Sequence, residues 1–258
     1  MQTAHLIYFS PTGTTRKAAE AIAQGVGASK VIHYDLTLPG ATFDTVLTEG
    51  VAVIGIPVYA GRLPELCLQR LQAIRATRIP AVLVALYGNR EFDDALVELR
   101  DLSVAKGFDI IAAGAFIGEH SFSTPSQPIA AGRPDAEDLK KAVQFGRQVA
   151  GKLRSGNPDT PDMDGHVPYK DRPKFGGKAP QTDVGQCILC GKCAAVCPSG
   201  AITVADSVTT DAENCIMCCA CTRACDNKAR SFTHPWIEEK RAILNKNCAE
   251  PKMPEIFI

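Results

Sequence analysis

The chain is organised around residues 187–225, where one cysteine spacing occurs twice. The first run is Cys187-Ile-Leu-Cys190-Gly-Lys-Cys193-Ala-Ala-Val-Cys197-Pro198. The second is Cys215-Ile-Met-Cys218-Cys219-Ala-Cys221-Thr-Arg-Ala-Cys225. Both read C-x₂-C-x₂-C-x₃-C, the spacing that holds cubane [4Fe–4S] clusters. Three thiolates from one tight loop cap three irons of a cube, and the fourth cysteine is carried on to the other cube. The expected ligand sets are Cys187, Cys190, Cys193 and Cys225 for one cluster, and Cys215, Cys218, Cys221 and Cys197 for the other. A disulfide framework and a pair of zinc sites are the competing readings. Disulfide-dense chains are usually small and secreted, and zinc sites close with four ligands without this third-cysteine spacing.

The 258 residues allow one large or two modest domains, and a 45% hydrophobic content suits a globular chain with a real core. Basic and acidic side chains balance at 28 each, which leaves no electrostatic footprint for nucleic acid. Ten of the eleven cysteines lie beyond residue 180. Met1-Gln2-Thr3-Ala4-His5 runs straight into a short apolar segment, without the basic and apolar regions of an export signal. No apolar stretch reaches the roughly 18 residues of a membrane span. Reduced thiolates without such a signal give the expectation of a cytoplasmic protein in an anaerobe that handles low-potential iron–sulfur chemistry.

Before the cysteines the pattern alternates. Residues 5–9 form an apolar run that suits a strand buried on both faces. It breaks at Ser10-Pro11-Thr12-Gly13-Thr14-Thr15, and helical periodicity follows from Arg16 to Val26. Further strands are expected at 30–36, 51–56, 79–86 and 109–118. Helices are expected from the 57–64 loop to about Arg75, over 92–106, and over 135–153. Five strands alternating with helices predict a doubly wound parallel sheet, with ligands beyond the strand C-termini. A hydroxyl-rich turn at a helix start also makes an anion site, although Ser and Thr are good helix caps in their own right. The turn has neither the phosphate-loop motif of nucleotide triphosphatases nor the glycine fingerprint of dinucleotide folds.

Residues 155–181 turn to Gly, Pro, Asp and Lys and read as a linker that Val167, Tyr169 and Phe175 could pin. The cluster domain then spans 182–232, and a tail over 233–258 is expected to pack back across a domain surface. Cys67 reads as core, Cys219 as a small residue against a cluster, and Cys248 as a buried or free thiol. Cys225 is followed by Asp226 where a proline is usual.

The hydroxyl turn resembles the phosphate loop of flavodoxins, S/T-x-T-G-x-T, matched by Ser10, Thr12, Gly13 and Thr15 with Thr14 between them. Pro57-Val58-Tyr59-Ala60-Gly61, Tyr87-Gly88-Asn89, Glu119-His120-Ser121, the double cysteine motif and the terminal Pro254-Glu-Ile-Phe257 resemble the flavodoxin–ferredoxin fusion family over nearly the whole length. The resemblance implies a flavodoxin-like domain over 1–154 holding FMN and a bacterial-type ferredoxin domain holding two [4Fe–4S] clusters. It places the flavin ring between the 57–64 and 87–90 loops. Tyr59 and Tyr87 would flank it, or be ordinary strand-end residues; Gly61 and Gly88 would admit backbone donors, and Asn89 would bond its edge. Arg62 and Arg90 would hold negative charge on the reduced ring or simply sit in solvent. His120 is a candidate proton donor, although a lone histidine at a strand end is more often structural. Residues 1–153 carry 15 basic and 15 acidic side chains, so long-range steering toward a partner is weak. The implied function is electron transfer between the clusters and FMN, to or from a ferredoxin or another iron–sulfur or flavin protein. The alternatives are ferredoxin-fed reduction of a small quinone, enone or nitro compound, and a redox sensor.

Overall fold

A computed structural model describes residues 3–41, 43–156, 159–174 and 176–258. Phe175, expected to pin the linker, lies outside the described residues. The first part contains β1 (Thr3–Tyr8), α1 (Thr14–Val26), β2 (Lys30–Asp35), β3 (Thr45–Leu47), β4 (Val51–Pro57), α2 (Glu65–Leu71), β5 (Ile74–Ala76), β6 (Ile79–Tyr87), α3 (Ala95–Ala105), β7 (Phe108–Ile117) and α4 (Ala136–Ser155). Strands β2-β1-β4-β6-β7 lie side by side and all pair in parallel. With the two short side strands set aside, this is the flavodoxin-like 2-1-3-4-5 order. Every residue of β4 is buried, as a central parallel strand requires.

Helices cover both faces. Ile22 and Ala19 of α1 and Phe145 and Val149 of α4 share one apolar cluster with Leu6, Val53 and Val84. Leu71 of α2 and Leu96 and Leu99 of α3 share the other with Ile54 and Leu83. Helix α2 ends at Leu71, short of the expected Arg75, because Ile74 turns into the core as part of β5. That strand pairs in parallel with β3.

The cluster domain comprises β8 (Gln181–Thr182), α5 (Lys192–Ala195), β9 (Ile202–Val204), β10 (Val208–Thr210), α6 (Ala220–Arg223) and β11 (Arg230–Ser231). Strand β9 pairs with β10 and β11 with β8, both antiparallel. The repeat seen in the cysteines extends to the backbone. Leu189 and Met217 have φ of 53° and 54°, Gly191 and Cys219 have 76° and 59°, and Gly200 and Lys228 have 65° and 56°. Cys219 thus takes the left-handed position that glycine fills in the first loop, and its side chain packs with Phe232 and Ile237.

Helix α7 (Pro235–Asn247) and strand β12 (Glu255–Phe257) complete the chain. Proline at the first turn and the His234 ring, which accepts the Trp236 N–H at 3.2 Å, start the helix. Strand β12 adds antiparallel to the β7 edge, with Ile256 opposite Gly114, and makes a sixth strand that the sequence pattern does not announce. The linker is tied down chiefly by Tyr169, whose hydroxyl donates to Asp101 and whose ring lies under the Arg62 guanidinium at 4.8 Å. Val167, expected to help, is 68% exposed.

Candidate functional site

A cavity of about 420 Å³ opens at the C-terminal ends of the parallel strands. Its floor is formed by Pro57 and Val58 after β4, Leu86 to Gly88 at the end of β6, and Gly118 after β7. One end reaches Thr12, Thr14 and Thr15 at the start of α1. That helix begins at Gly13 with φ 81°, a residue with no side chain to cap the first turn. Ser10 shapes the loop instead, its hydroxyl accepting the Arg16 N–H at 3.0 Å. The Thr12 and Thr14 hydroxyls stand 3.3 Å apart. A helix start beside three hydroxyls is suited to an anion.

The opposite wall comes from elsewhere in the chain. Ile216 and Met217, inside the second cysteine loop, line the cavity together with Trp236, Lys240, Ile243 and Leu244 of α7. None of these six was singled out from sequence. The Trp236, Lys240, Ile243 and Leu244 spacing was the available signal, a helical stripe in a tail with no evident core of its own. Tyr59 lines the same cavity. Burial, then the neighbouring Cys218, Cys219 and Cys215 thiols, hold its phenol well above the ordinary range.

Val58, Ala60, Gly88, Arg90 and Ser121 all line the cavity. Four expectations are corrected. Arg62 does not line it: the guanidinium is buried and donates to both Glu98 oxygens at 2.9 Å. Gly61, with φ 84°, belongs to the tight turn that pairs Tyr59 with Arg62, and a Cβ there would meet the Asp93 carboxylate at 2.1 Å. Asn89 is 3% exposed and holds the tail. Its amide donates to the Cys248 and Glu250 carbonyls at 2.8 and 2.9 Å and accepts the Lys252 N–H at 2.9 Å. Tyr87 contributes to the floor, but its ring lies in the core, edge-on to Phe92 at 5.6 Å, and its hydroxyl is buried without a partner among the described residues. Alternating side-chain direction sends this strand-end ring below the sheet, away from the ligand edge. Arg90 is paired with Asp93.

His120 does reach the cavity. Its Nδ1 accepts the Phe122 N–H at 3.0 Å, which leaves the proton of the neutral ring on Nε2. The ring packs so closely on Gly88 that a Cβ there would stand 2.3 Å from it. Burial, then the Arg223 and Arg90 charges, lower its pKa to about 4. Between pH 6.5 and about 4 the unfolded chain therefore binds the proton that the folded chain refuses, and stability falls with pH across that window. The expected loss is up to about 3 kcal/mol. Chemical denaturation of the flavin-free chain at stepped pH should show it, and His120→Asn should flatten that part of the profile.

Cys187, Cys190, Cys193 and Cys225 together line a cavity of about 100 Å³. Cys197 and Cys221 are buried in a shared apolar cluster, and Cys215 feels the charges of both. All eleven cysteines are free thiols. No three His, Cys, Asp or Glu side chains among the described residues are gathered to hold one metal ion. Lys192 reaches across from the first loop to Asp226, the residue that replaces the usual proline.

A family model for a 4Fe-4S binding domain matches residues 180–203, which contain the first cysteine run. No curated protein matches the chain. Similar solved structures include a Streptococcus pneumonia TIGR4 flavodoxin, 17% identical with TM-score 0.41, which covers 58% of this chain and 99% of its own. A Fusobacterium nucleatum flavodoxin bound to flavin mononucleotide is 16% identical with TM-score 0.40, over 60% of this chain and 99% of its own. The rubredoxin oxygen:oxidoreductase of the anaerobe Desulfovibrio gigas is 14% identical with TM-score 0.39, over 60% of this chain and 37% of its own. The fold assignment rests on this chain's own strand order and pairing. No helix among the described residues is long and apolar enough to cross a membrane. The chain therefore joins a flavodoxin-like doubly wound sheet domain to a 4Fe-4S binding domain, as a flavodoxin–ferredoxin fusion does.

Proposed function

We propose that the protein transfers electrons between two [4Fe–4S] clusters and FMN, exchanging them with a redox protein partner. The observation that carries this reading is the shared wall: the second cysteine loop, through Ile216 and Met217, is part of the cavity at the sheet edge. Thr12, Thr14, Thr15 and the start of α1 would take the FMN phosphate. Tyr59, Gly88, His120 and the α7 roof would take the ring. When bound, the clusters supply one-electron steps and FMN supplies one- or two-electron steps. The chain's own part is to keep the two sites against each other and to roof the flavin site with α7. A partner already on the same chain has no need of long-range steering, which agrees with the balanced charge of the sheet domain.

The cavity lies toward the small end of the roughly 300–1,000 Å³ of ligand pockets, so a bound flavin would fill much of it. That favours electron transfer over substrate turnover. The second reading, reduction of a quinone, enone or nitro compound, rests on His120, whose Nε2–H belongs to a ring on the cavity wall.

Anaerobic purification should give about eight irons per chain, as two cubanes require, and one FMN. Reduced ferredoxin should then reduce the flavin. Thr12→Ala should weaken FMN binding about tenfold to a hundredfold, the value of a hydrogen bond to a charged group. Eight irons with no flavin bound on addition would remove the flavin half of the proposal. Steady turnover of a quinone that His120→Asn abolishes would establish the second reading.

A further inference from the structure

The internal repeat is broken at one buried position. Arg230, the first residue of β11, stands 28 residues after Ile202, the first residue of β9, the offset that separates Cys187 from Cys215. Ile202 is 7% exposed and Arg230 is 5% exposed. One half of the repeat fills this place with an aliphatic group and the other fills it with a guanidinium. Burying a cation is expensive unless an anion or good hydrogen bonds compensate it.

Among the described residues Arg230 has no carboxylate partner. Its Nη1 donates to Thr182 Oγ1 at 2.6 Å, and its Nη2 to Thr210 Oγ1 at 2.9 Å and Cys221 Sγ at 3.6 Å. Its Nε–H is buried and unpartnered. The same side chain lines the cavity that Cys187, Cys190, Cys193 and Cys225 share. A single guanidinium thus touches a ligand of the second cysteine set and walls the cavity of the first. Cubane sulfurs are acceptors for a donor such as the free Nε–H.

Resting on the two-cluster reading above, we propose that Arg230 is a counter-ion shared by both cluster sites, raising their reduction potentials and raising most the one served by Cys221. A reduced cluster with four thiolates carries one more negative charge than the oxidised one. A fixed cation in a low-dielectric interior favours the more negative state. One electron enters and no bond or proton changes, so the whole effect is electrostatic. The pseudo-symmetric site has isoleucine, which gives two otherwise similar loops unequal surroundings. Arg230 is therefore a positioning and tuning residue that needs no part in any substrate reaction.

The test is a redox titration of the full chain followed by electron paramagnetic resonance, with iron counted in every sample. Arg230→Gln removes the charge and Arg230→Lys keeps it. With about eight irons bound, Arg230→Gln should lower the reduced-to-oxidised ratio of one cluster about tenfold at fixed applied potential, equivalent to about 59 mV for one electron. The other cluster should shift in the same direction by less, and Arg230→Lys should restore most of the change. Unmoved potentials in Arg230→Gln with eight irons present, or equal shifts in both variants, overturn the proposal. Should Arg230→Gln lose iron, Arg230→Met decides. It removes the same charge and leaves an apolar stem in the buried space, and potentials that stay at the wild-type values with eight irons bound overturn the counter-ion role. A wild-type chain with about four irons instead overturns the two-cluster reading itself.

Discussion

Cys218→Ser is expected to leave the protein with FMN and roughly half its iron, and to stop reduction of the flavin by reduced ferredoxin. A serine oxygen is a poor replacement for thiolate at iron, which binds best to soft sulfur ligands. Cys218 lies in the loop whose Ile216 and Met217 form part of the cavity wall, so its loss empties the site nearest the flavin. The first cysteine set lines a separate cavity and none of its four cysteines lines the one at the sheet edge; Cys190 there is exposed beside the exposed Ile188 and Leu189. An intact cluster there would hold electrons without a neighbour to pass them to the sheet domain. Iron analysis, flavin absorbance and stopped-flow mixing with reduced ferredoxin read the three quantities separately. Cys67→Ser supplies the control: that thiol is fully buried among sheet-domain apolar side chains and belongs to neither cysteine run, so its change should leave the iron count alone. If Cys218→Ser loses half its iron yet reduces its flavin at the wild-type rate, the second loop is not the route.

The sheet was legible because its strands are buried on both faces. Val51-Ala-Val-Ile-Gly-Ile56 and the run from Ile79 can satisfy their side chains only with helices above and below, and the intervening periodicity supplies those helices. The 4Fe-4S binding region was legible for a different reason, since metal–ligand spacing is written locally in the chain. The sixth strand was not. Glu-Ile-Phe is too short to declare itself, and it becomes a strand through the open β7 edge and through Asn89, which anchors the preceding segment.

At the site, backbone placement was readable and side-chain direction was not. The loops after β4, β6 and β7 had to meet at one sheet edge, and they do. Whether Tyr87 points up to a ligand or down into the core turns on a single residue of register, and it points down. Arg62 and Asn89 were misread because each bonds a segment far away in sequence, Glu98 in one case and the tail in the other. The cavity roof required knowing that α7 folds back over the sheet edge. Its stripe of apolar residues was visible, but nothing local to it names what it covers.

Glu98→Gln should be the most destabilising single change in the sheet domain that leaves side-chain volume nearly unaltered. The carboxylate is 7% exposed and faces two guanidiniums. Arg62 bonds both its oxygens at 2.9 Å, Arg172 of the linker bonds one of them, and the Leu63 N–H donates at 3.0 Å. An amide in its place keeps one acceptor and turns an N–H₂ group toward a cation, leaving the buried Arg62 charge and the partly buried Arg172 charge uncompensated. Breaking a buried ion pair from one side costs about 3–5 kcal/mol. For a chain of this size each kcal/mol moves the melting temperature by about 2–4 °C. The effect should also reach the ligand site. Arg62 closes the turn that presents Tyr59 and Ala60, and Arg172 precedes Pro173, another residue of the cavity lining. FMN affinity should therefore fall along with stability, although no atom of Glu98 lines the cavity. Replacing the pair together, as Arg62→Met with Glu98→Leu, removes the mutual charge but strands Arg172, so it should recover only part of the loss. Thermal melts and flavin titration of the two variants would decide the matter. A Glu98→Gln protein that melts with the wild type would mean that solvent, rather than the carboxylate, neutralises these arginines.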